Sequence, residues 1–328
     1  MTVALDAADT AHAADVLVLC GPTAAGKSAI ALWTATYLAT RTAGPAPVTI
    51  ISADSRQVYR DFDIGTAKPT SADRARVPHE GIDVADPTDR YSAAAWATAA
   101  DAWIAQARAA GRIPVVVGGT GLYLRALFDG LFQEPPLDPD RRRQLAAELA
   151  RLDVPELRRW VATVDPERAH LGRAQLLRAV EIALLSGHRL SDLHRDRAAA
   201  PRWRPRYLLV DPGPALAGRI AARIDEMLDH GWPDEVLRLM QTVPADAPAW
   251  NATGYDAVRR LVAGSITRAE AREEILIATR QYAKRQRTWF RHQLPADRVT
   301  SVDPLAGDWQ QQMERWIAAD TPAGGRVA

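Results

Sequence analysis

The chain has 328 residues, which is enough to bury a large core. Its formal net charge is +1, so it has no overall electrostatic field that would attract polyanions. Any nucleic-acid site must therefore be a local patch, and one cysteine, Cys20, excludes an internal disulfide and a metal site built from several cysteines. Because there is no signal-peptide pattern and no apolar run near the ~18 residues of a membrane span, we expect a soluble, cytoplasmic protein.

The first predicted strand, 16–20, leads into a turn that fits the phosphate-loop pattern G-x-x-x-x-G-K-[ST], and a helix to about Thr40 follows. The backbone N–H groups of such a turn and the helix N-terminus form an anion-binding concavity. The loop residues predicted to bind a di- or triphosphate are Gly21, Pro22, Thr23, Ala24, Ala25, Gly26, Lys27 and Ser28. The Ser28 hydroxyl is the predicted ligand of Mg²⁺. The pattern leaves open whether the phosphate is transferred, hydrolysed or expelled.

Two further strands are predicted at 48–52 and 113–117, separated by an irregular segment and by a helix with Ser92 as its N-cap. This alternation predicts a parallel sheet, whose carboxyl edge is where ligands bind. Asp54 and Thr120 follow these strands and are expected near the phosphate loop. A carboxylate there could bind Mg²⁺ or accept a proton from a nucleophile. No acidic residue closes an apolar strand as in nucleotide hydrolases, which weakens the case for simple ATP hydrolysis.

The second half of the chain is mainly helical. Only helical patterns occur from about 138 to 200, and the chain then returns through a strand at 206–210 and a helix at 216–230 that places Arg219 and Arg223 on one face. We predict an α/β fold with a P-loop NTPase-like parallel-sheet core and C-terminal helices. The predicted divisions are a disordered tail at 1–14, the core at 15–137 and 201–319, a helical insertion domain at 138–200 and a disordered tail at 320–328.

The last strong helical pattern carries a basic stripe, which we define as Arg280, Lys284, Arg287 and Arg291. Aromatic residues lie beside it. The combination suits a nucleic-acid phosphate backbone, although such a stripe is more often the solvated face of a helix.

Together these motifs resemble those of the bacterial tRNA dimethylallyltransferase family. The resemblance extends in order over about residues 21–291. The matching segments are 21–28, 51–59, 63–69, 117–123, Gly254-Tyr255 and 279–290.

This resemblance implies transfer of a dimethylallyl group from dimethylallyl diphosphate to N6 of the adenosine immediately 3′ of the anticodon, with release of diphosphate. It implies that the phosphate loop and Arg223 bind the diphosphate, with Mg²⁺ at Ser28. Asp54 would accept or orient the N6 proton, and Thr120 would contact the base or the leaving group. The implied tRNA-binding residues are Asp54, Ser55, Arg56, Gln57, Thr120, Arg142, Gln175, Arg178, Arg280, Lys284 and Arg287. We expect a monomer.

Two segments depart from the family's usual pattern. Residues 79–83 read His-Glu-Gly-Ile-Asp where a His-His-Leu-Ile-Asp type run is usual, and the region 169–181 is shorter and lacks an Asn-Asp pair. The second departure concerns the implied tRNA contacts, including Gln175, more than the catalytic centre.

The main alternative is a P-loop small-molecule kinase that uses ATP, with the insertion as its lid. A nucleotide-gated RNA-binding module and an enzyme that prenylates free adenine nucleotides are further alternatives.

Overall fold

The computed structural model describes residues 15–41, 47–130, 137–195 and 202–318. The tails predicted at 1–14 and 320–328 lie outside the described residues. The described part of the chain divides into two compact units. The first unit comprises the chain up to Phe128 and from Arg202 onward, and the second lies within Asp129–Pro201.

The first unit is built on a parallel sheet, as predicted. Its described strands are β1 (Asp15–Cys20), β2 (Val48–Ala53), β3 (His79–Glu80), β4 (Ile113–Gly118), β5 (Arg204–Val210) and β6 (Val299–Val302). Their order is β3-β2-β4-β1-β5-β6. In the register of the sheet, Gly118 pairs with Cys20 of β1 and with Ala53 of β2. The three turns that follow β1, β2 and β4 therefore leave the sheet at the same edge.

The helices of the described residues are α1 (Lys27–Ala39), α2 (Ser71–Arg76), α3 (Ala93–Ala109), α4 (Gly121–Phe128), α5 (Pro139–Leu149), α6 (Val154–Val164), α7 (Arg173–Ser186), α8 (Leu190–Arg195), α9 (Leu216–Asp229), α10 (Trp232–Thr242), α11 (Tyr255–Val262), α12 (Arg268–Gln293) and α13 (Trp309–Ala318). Helix α3 begins where its predicted cap places it, because the Ser92 hydroxyl accepts a hydrogen bond from the N–H of Ala95 at 3.1 Å. Among the described residues, no helix combines the length and apolar character needed to cross a bilayer.

Apolar residues cover both faces of the sheet. Along β1, Val16, Val18 and Cys20 belong to one buried cluster, whereas Leu19 belongs to another. This alternation follows from the two-residue period of a strand. A sheet covered on both faces is typical of parallel α/β proteins, and it leaves the edges and strand ends as the places for a site.

The second unit has its own core. Its helices α5–α8 bury Leu157, Val161, Leu176 and Ile182 together. The buried carboxylate of Asp165 accepts hydrogen bonds from the N–H group of Ser191, at 3.0 Å, and from the Ser191 hydroxyl. These contacts make 137–195 a helical unit with an independent apolar centre.

Two elements differ from the sequence-based expectation. The segment 61–90, expected to be irregular, contains α2 and β3, and α2 is only six residues long. A capping box between Thr70 and Asp73 stabilises this short helix. The sequence pattern does not predict the edge strand β6. Its central residues, Thr300 and Ser301, are exposed and polar, so the segment lacks an apolar strand pattern.

Candidate active site

The phosphate loop joins β1 to α1 and depends on its glycines. Gly21 has a φ of +148°, and a Cβ there would lie 2.2 Å from the carbonyl oxygen of Val210 on the neighbouring strand. Gly26 takes the left-handed backbone conformation and lies immediately before Lys27, where α1 begins. The loop therefore packs directly on the sheet, with the helix N-terminus behind it.

Lys27 folds back over its own loop. Its Nζ donates hydrogen bonds to the carbonyl oxygens of Gly21, at 3.0 Å, and Pro22, at 2.8 Å. Burial lowers the pKa of Lys27 to about 8, and the negative charge of Asp54 opposes this effect. The ammonium group is consequently held inside the site but poorly solvated, a state that a bound anion would relieve.

The turns after β2 and β4 are joined by hydrogen bonds. The Thr120 hydroxyl accepts the N–H of Ser55 at 3.1 Å, and the Thr120 N–H donates to the carbonyl of Ala53 at 3.2 Å. Asp54 accepts the N–H of Arg56 at 2.8 Å through one carboxylate oxygen. The structure thus places Asp54 and Thr120 in adjoining turns, at the edge where the phosphate loop also lies.

The amide of Gln57 is engaged within the protein. Its Nε2 donates to the carbonyls of Thr66, at 3.2 Å, and Ala67, at 3.0 Å, while its Oε1 accepts the hydroxyl of Ser52 at 2.9 Å. Gln57 therefore anchors the segment 61–69 beside the turn. Its predicted contact with tRNA stays a prediction.

Two buried charges fix the segment 61–69. The side chain of Lys68 is only 1% exposed and donates to Asp63 at 2.7 Å and Asp83 at 2.5 Å. Glu235 is 2% exposed and accepts the N–H groups of residues 63–65 at 2.6–3.4 Å and the hydroxyl of Tyr255 at 2.7 Å. No local pattern predicts the role of Glu235, because the N–H groups that it accepts lie about 170 residues earlier in the chain.

These elements enclose a cavity of about 270 Å³ in the first unit. Its polar lining includes Thr23, Lys27, Ser28, Asp54, Arg56, Gln57, Arg223, Tyr282 and Gln286. Its apolar lining includes Leu32, Ile220, Ile224, Met227, Trp232 and Ile275. A phosphate-binding loop, a carboxylate and an apolar surface thus share one cavity.

Helix α9 brings its two arginines to the loop. Arg219 donates through Nε to the carbonyl of Ala24 at 2.9 Å, so it supports the loop from outside. Arg223 lines the cavity, and burial lowers its pKa while the charge of Asp54 raises it. Arg223 is therefore the α9 arginine placed to face an anion beside Lys27.

Gln286 on α12 is a site residue that the sequence did not reveal. It is 6% exposed, its Oε1 accepts the N–H of Thr23 at 2.8 Å, and its Nε2 donates to the carbonyl of Gly119 at 2.9 Å. Burial, followed by the charge of Asp54, raises the pKa of the nearby Tyr282 hydroxyl, which keeps that hydroxyl protonated.

The residues of the basic stripe differ in exposure and in their contacts. Arg280, Lys284 and Arg291 are exposed. Arg287 instead forms a two-point ion pair with Asp211, with one N···O distance of 2.8 Å and the other of 2.5 Å. The guanidinium of Arg287 thus has an intramolecular partner, and its predicted contact with tRNA remains untested.

The predicted tRNA-binding residues of the second unit lie around one carboxylate. Arg142 and Arg178 both form ion pairs with Glu181. The Gln175 side chain accepts the N–H of Gly172 at 3.1 Å, at the start of α7. The structure therefore brings Arg142 and Arg178 together, while their contact with tRNA stays a prediction.

The described residues contain no group of three or more His, Cys, Asp or Glu side chains arranged to hold a metal ion. The exposed hydroxyl of Ser28 lies at the start of α1, beside the cavity. This donor set fits Mg²⁺ only as an ion held mainly by substrate phosphate oxygens, which is how Mg²⁺ commonly binds phosphorylated substrates.

The fold and site define a P-loop α/β protein whose phosphate loop lies beside a carboxylate. The family model described as IPP transferase matches residues 57–293. The chain belongs to this family.

A curated relative and a solved structure agree with this assignment, and a second solved structure agrees with the fold. A tRNA dimethylallyltransferase of Ralstonia nicotianae is 44% identical over 326 residues, which are 93% of this chain and 96% of the relative. The crystal structure of the full-length tRNA isopentenylpyrophosphate transferase from Bacillus halodurans has 32% identity and a TM-score of 0.64, covering 93% of this chain and 96% of that one. A eukaryotic dimethylallyltransferase acting on tRNA, at 24% identity and a TM-score of 0.77, shares the fold over 94% of this chain and 79% of its own.

Proposed function

We propose that this protein transfers a dimethylallyl group from dimethylallyl diphosphate to N6 of the adenosine immediately 3′ of the anticodon in tRNA. The observation that supports this function is the shared cavity, in which Asp54 lies with the phosphate loop and an apolar surface. The proposal includes a monomeric enzyme acting on tRNA in the cytoplasm. The names of the relatives support the dimethylallyl group and tRNA, whereas the diphosphate donor and the position of the adenosine follow from the sequence resemblance.

The diphosphate of the donor occupies the phosphate loop in this proposal. The C1–O bond breaks, and its electron pair leaves with the diphosphate. Lys27 and Arg223 line the cavity and would stabilise the oxygens on which negative charge develops. The Ile220, Ile224 and Ile275 side chains offer an apolar surface for the five-carbon group.

The new bond forms between N6 of the adenine and C1 of the dimethylallyl group. The proton lost from N6 goes to Asp54, whose second carboxylate oxygen is not used by the Arg56 N–H. Thr120 holds the turn that carries this carboxylate. The exocyclic amine is a weak nucleophile, so its placement near C1 contributes as much as its deprotonation.

Mg²⁺ would be held by the Ser28 hydroxyl together with diphosphate oxygens. When bound, the ion would neutralise part of the charge that the leaving diphosphate gains. The residues of the chain, Lys27 and Arg223, supply the remaining positive charge.

Binding of tRNA requires the target base to leave the stack of the anticodon loop, at a cost of a few kcal/mol. Exposed basic residues on α12, chiefly Arg280 and Lys284, are proposed to contact the phosphate backbone. Arg142, Gln175 and Arg178 of the second unit are proposed to contact the anticodon stem-loop, with Ser55, Arg56 and Gln57 nearer the base.

The test uses the purified protein, unmodified tRNA, Mg²⁺ and dimethylallyl diphosphate, followed by digestion of the RNA and mass analysis of its nucleosides. The expected product is adenosine heavier by one dimethylallyl group, formed only with donor present. ATP consumption on a small substrate, without this nucleoside, would instead identify a kinase.

Asp54→Asn tests the role of the carboxylate. Asparagine retains an oxygen that can accept the Arg56 N–H, so the turn should persist. The single-turnover rate is expected to fall by roughly 10²–10⁴-fold, the usual contribution of a general base, with tRNA affinity within about twofold of wild type. Equal losses of transfer and of binding would contradict the assignment.

A further inference from the structure

Three turns at one edge of the sheet must keep a fixed spacing if donor and acceptor are to meet. They are the phosphate loop after β1, the turn of Asp54 after β2 and the turn of Thr120 after β4. Because β4 lies between β2 and β1, its turn is the central one. A displacement of about 1 Å between reacting groups can lower a rate by about 100-fold, so the contacts between these turns matter.

Each pair of neighbouring turns is joined by one side chain. Thr120 connects the β4 turn to the β2 turn through the N–H of Ser55 at 3.1 Å. Gln286 connects the β4 turn to the phosphate loop, since its amide bridges the Gly119 carbonyl and the Thr23 N–H. The second connection comes from α12, which is remote in sequence from both turns.

The two partners of Gln286 fix the orientation of its amide. Thr23 offers an N–H and Gly119 offers a carbonyl, so Oε1 must face the first and Nε2 the second. The close approach also explains the glycine, because a Cβ at position 119 would lie 2.2 Å from Nε2 of Gln286. No other uncharged side chain of this length provides an acceptor and a donor together.

We infer that Gln286 is a positioning residue that sets the distance between the phosphate loop, where the diphosphate would bind, and the turn after β4. This inference rests on the proposed function. By accepting the Thr23 N–H, Gln286 also engages a donor of the loop within the protein. Loss of the amide should therefore impair use of the donor and the transfer step, while the exposed basic residues of α12 still bind tRNA.

Two variants separate positioning from packing. Gln286→Met keeps a side chain of similar length in the buried space but makes neither hydrogen bond. Gln286→Glu keeps an acceptor for Thr23; when ionised it repels the Gly119 carbonyl, and when protonated it can reproduce both hydrogen bonds. Gln293→Met, at the exposed end of the same helix, is the matched control.

Steady-state transfer to tRNA is measured for each variant beside the wild type, which independently reports whether the proposed reaction occurs. For Gln286→Met, kcat/KM for the donor is expected to fall by roughly 10- to 100-fold, with the KM for tRNA within about twofold. Gln293→Met should match the wild type. Wild-type kinetics in Gln286→Met, or an equal loss through tRNA binding, would overturn the inference.

The pH profile of Gln286→Glu separates the hydrogen bond to Gly119 from side-chain packing, because the side chain has nearly the same size in both protonation states. The ratio of its kcat/KM to that of the wild type should rise severalfold as the pH falls from about 8 to 5.5, because protonation restores the donor toward Gly119. Other charged or titratable groups line the cavity in both proteins, namely Lys27, Asp54, Arg56, Lys68, Asp73, His79, Arg223 and Tyr282, and the ratio corrects for them. A ratio independent of pH would overturn the inference even if Gln286→Met failed to fold.

Discussion

The buried carboxylate of Glu235 holds the segment 61–69 against the first unit, and its replacement by glutamine offers a quantitative test. One carboxylate oxygen accepts the N–H groups of Asp63, at 3.0 Å, and Ile64, at 2.6 Å. The other accepts the Tyr255 hydroxyl at 2.7 Å and a longer hydrogen bond from Gly65 at 3.4 Å. Burial and the negative charge of Glu235 raise the pKa of Tyr255, so that hydroxyl remains a donor.

The geometry gives the magnitude for Glu235→Gln. The new NH₂ group is best placed toward Tyr255, whose hydroxyl can rotate to accept from it, while the amide oxygen keeps the N–H groups of Asp63 and Ile64. Those two hydrogen bonds lose their charge assistance, which costs about 1 kcal/mol each. The expected loss of about 2 kcal/mol corresponds to a decrease in Tm of roughly 4–8 °C.

Urea unfolding followed by circular dichroism, with tryptophan fluorescence as a second probe, measures this loss. Glu235→Ala should cost about 5 kcal/mol, because it also leaves buried N–H groups unsatisfied. The exposed Glu273→Gln on α12 is the control and should change the free energy of unfolding by less than about 0.5 kcal/mol. A Glu235→Gln variant as stable as this control would refute the reasoning.

The remaining predictions concern charge, binding and packing. Because burial lowers the pKa of Lys27 to about 8, kcat/KM for the donor should fall as the pH rises through about 8, when the cation that attracts the diphosphate is lost. A constant kcat/KM across that range would contradict the assignment. For Arg280→Ala, the slope of log tRNA affinity against log salt concentration, measured by filter binding, should become shallower by about one. Arg287→Ala should leave this slope unchanged and lower the Tm measured by thermal unfolding. Gly121→Ala places a Cβ 2.3 Å from the Trp289 ring and should destabilise the protein by about 1–3 kcal/mol, so an unchanged urea midpoint would exclude a rigid contact.

Much of the fold could be predicted because its signals are local. Apolar runs bounded by turns identify β1, β2, β4 and β5 to within about two residues, and the serine cap identifies the start of α3. The alternation of strands and helices predicts the parallel sheet, which the structure confirms. The same rule predicts that the turns of Asp54 and Thr120 lie at one edge, because strand polarity fixes which ends meet.

The features that could not be predicted depend on pairs of residues far apart in sequence. Gln286 and Thr23 are 263 positions apart, and a single glutamine on a long helix does not indicate which carbonyl or N–H it will meet. Glu235 is similar, since an acidic residue near a helix start is usually explained as a favourable interaction with the helix dipole. Spacing places Arg287 in the basic stripe, but it does not reveal the ion pair with Asp211 on another segment.

The strand order has a consequence for how the protein is made. The central strand β1 has β4 on one side and β5 on the other, and the residues of the second unit are synthesised between those two neighbours. Until β5 emerges from the ribosome, one edge of β1 has no partner and can pair with another chain. Gln286, whose side-chain amide joins the phosphate loop to the turn after β4, is synthesised later still, as part of α12. The nascent chain therefore completes its donor site long after the phosphate loop itself has been synthesised.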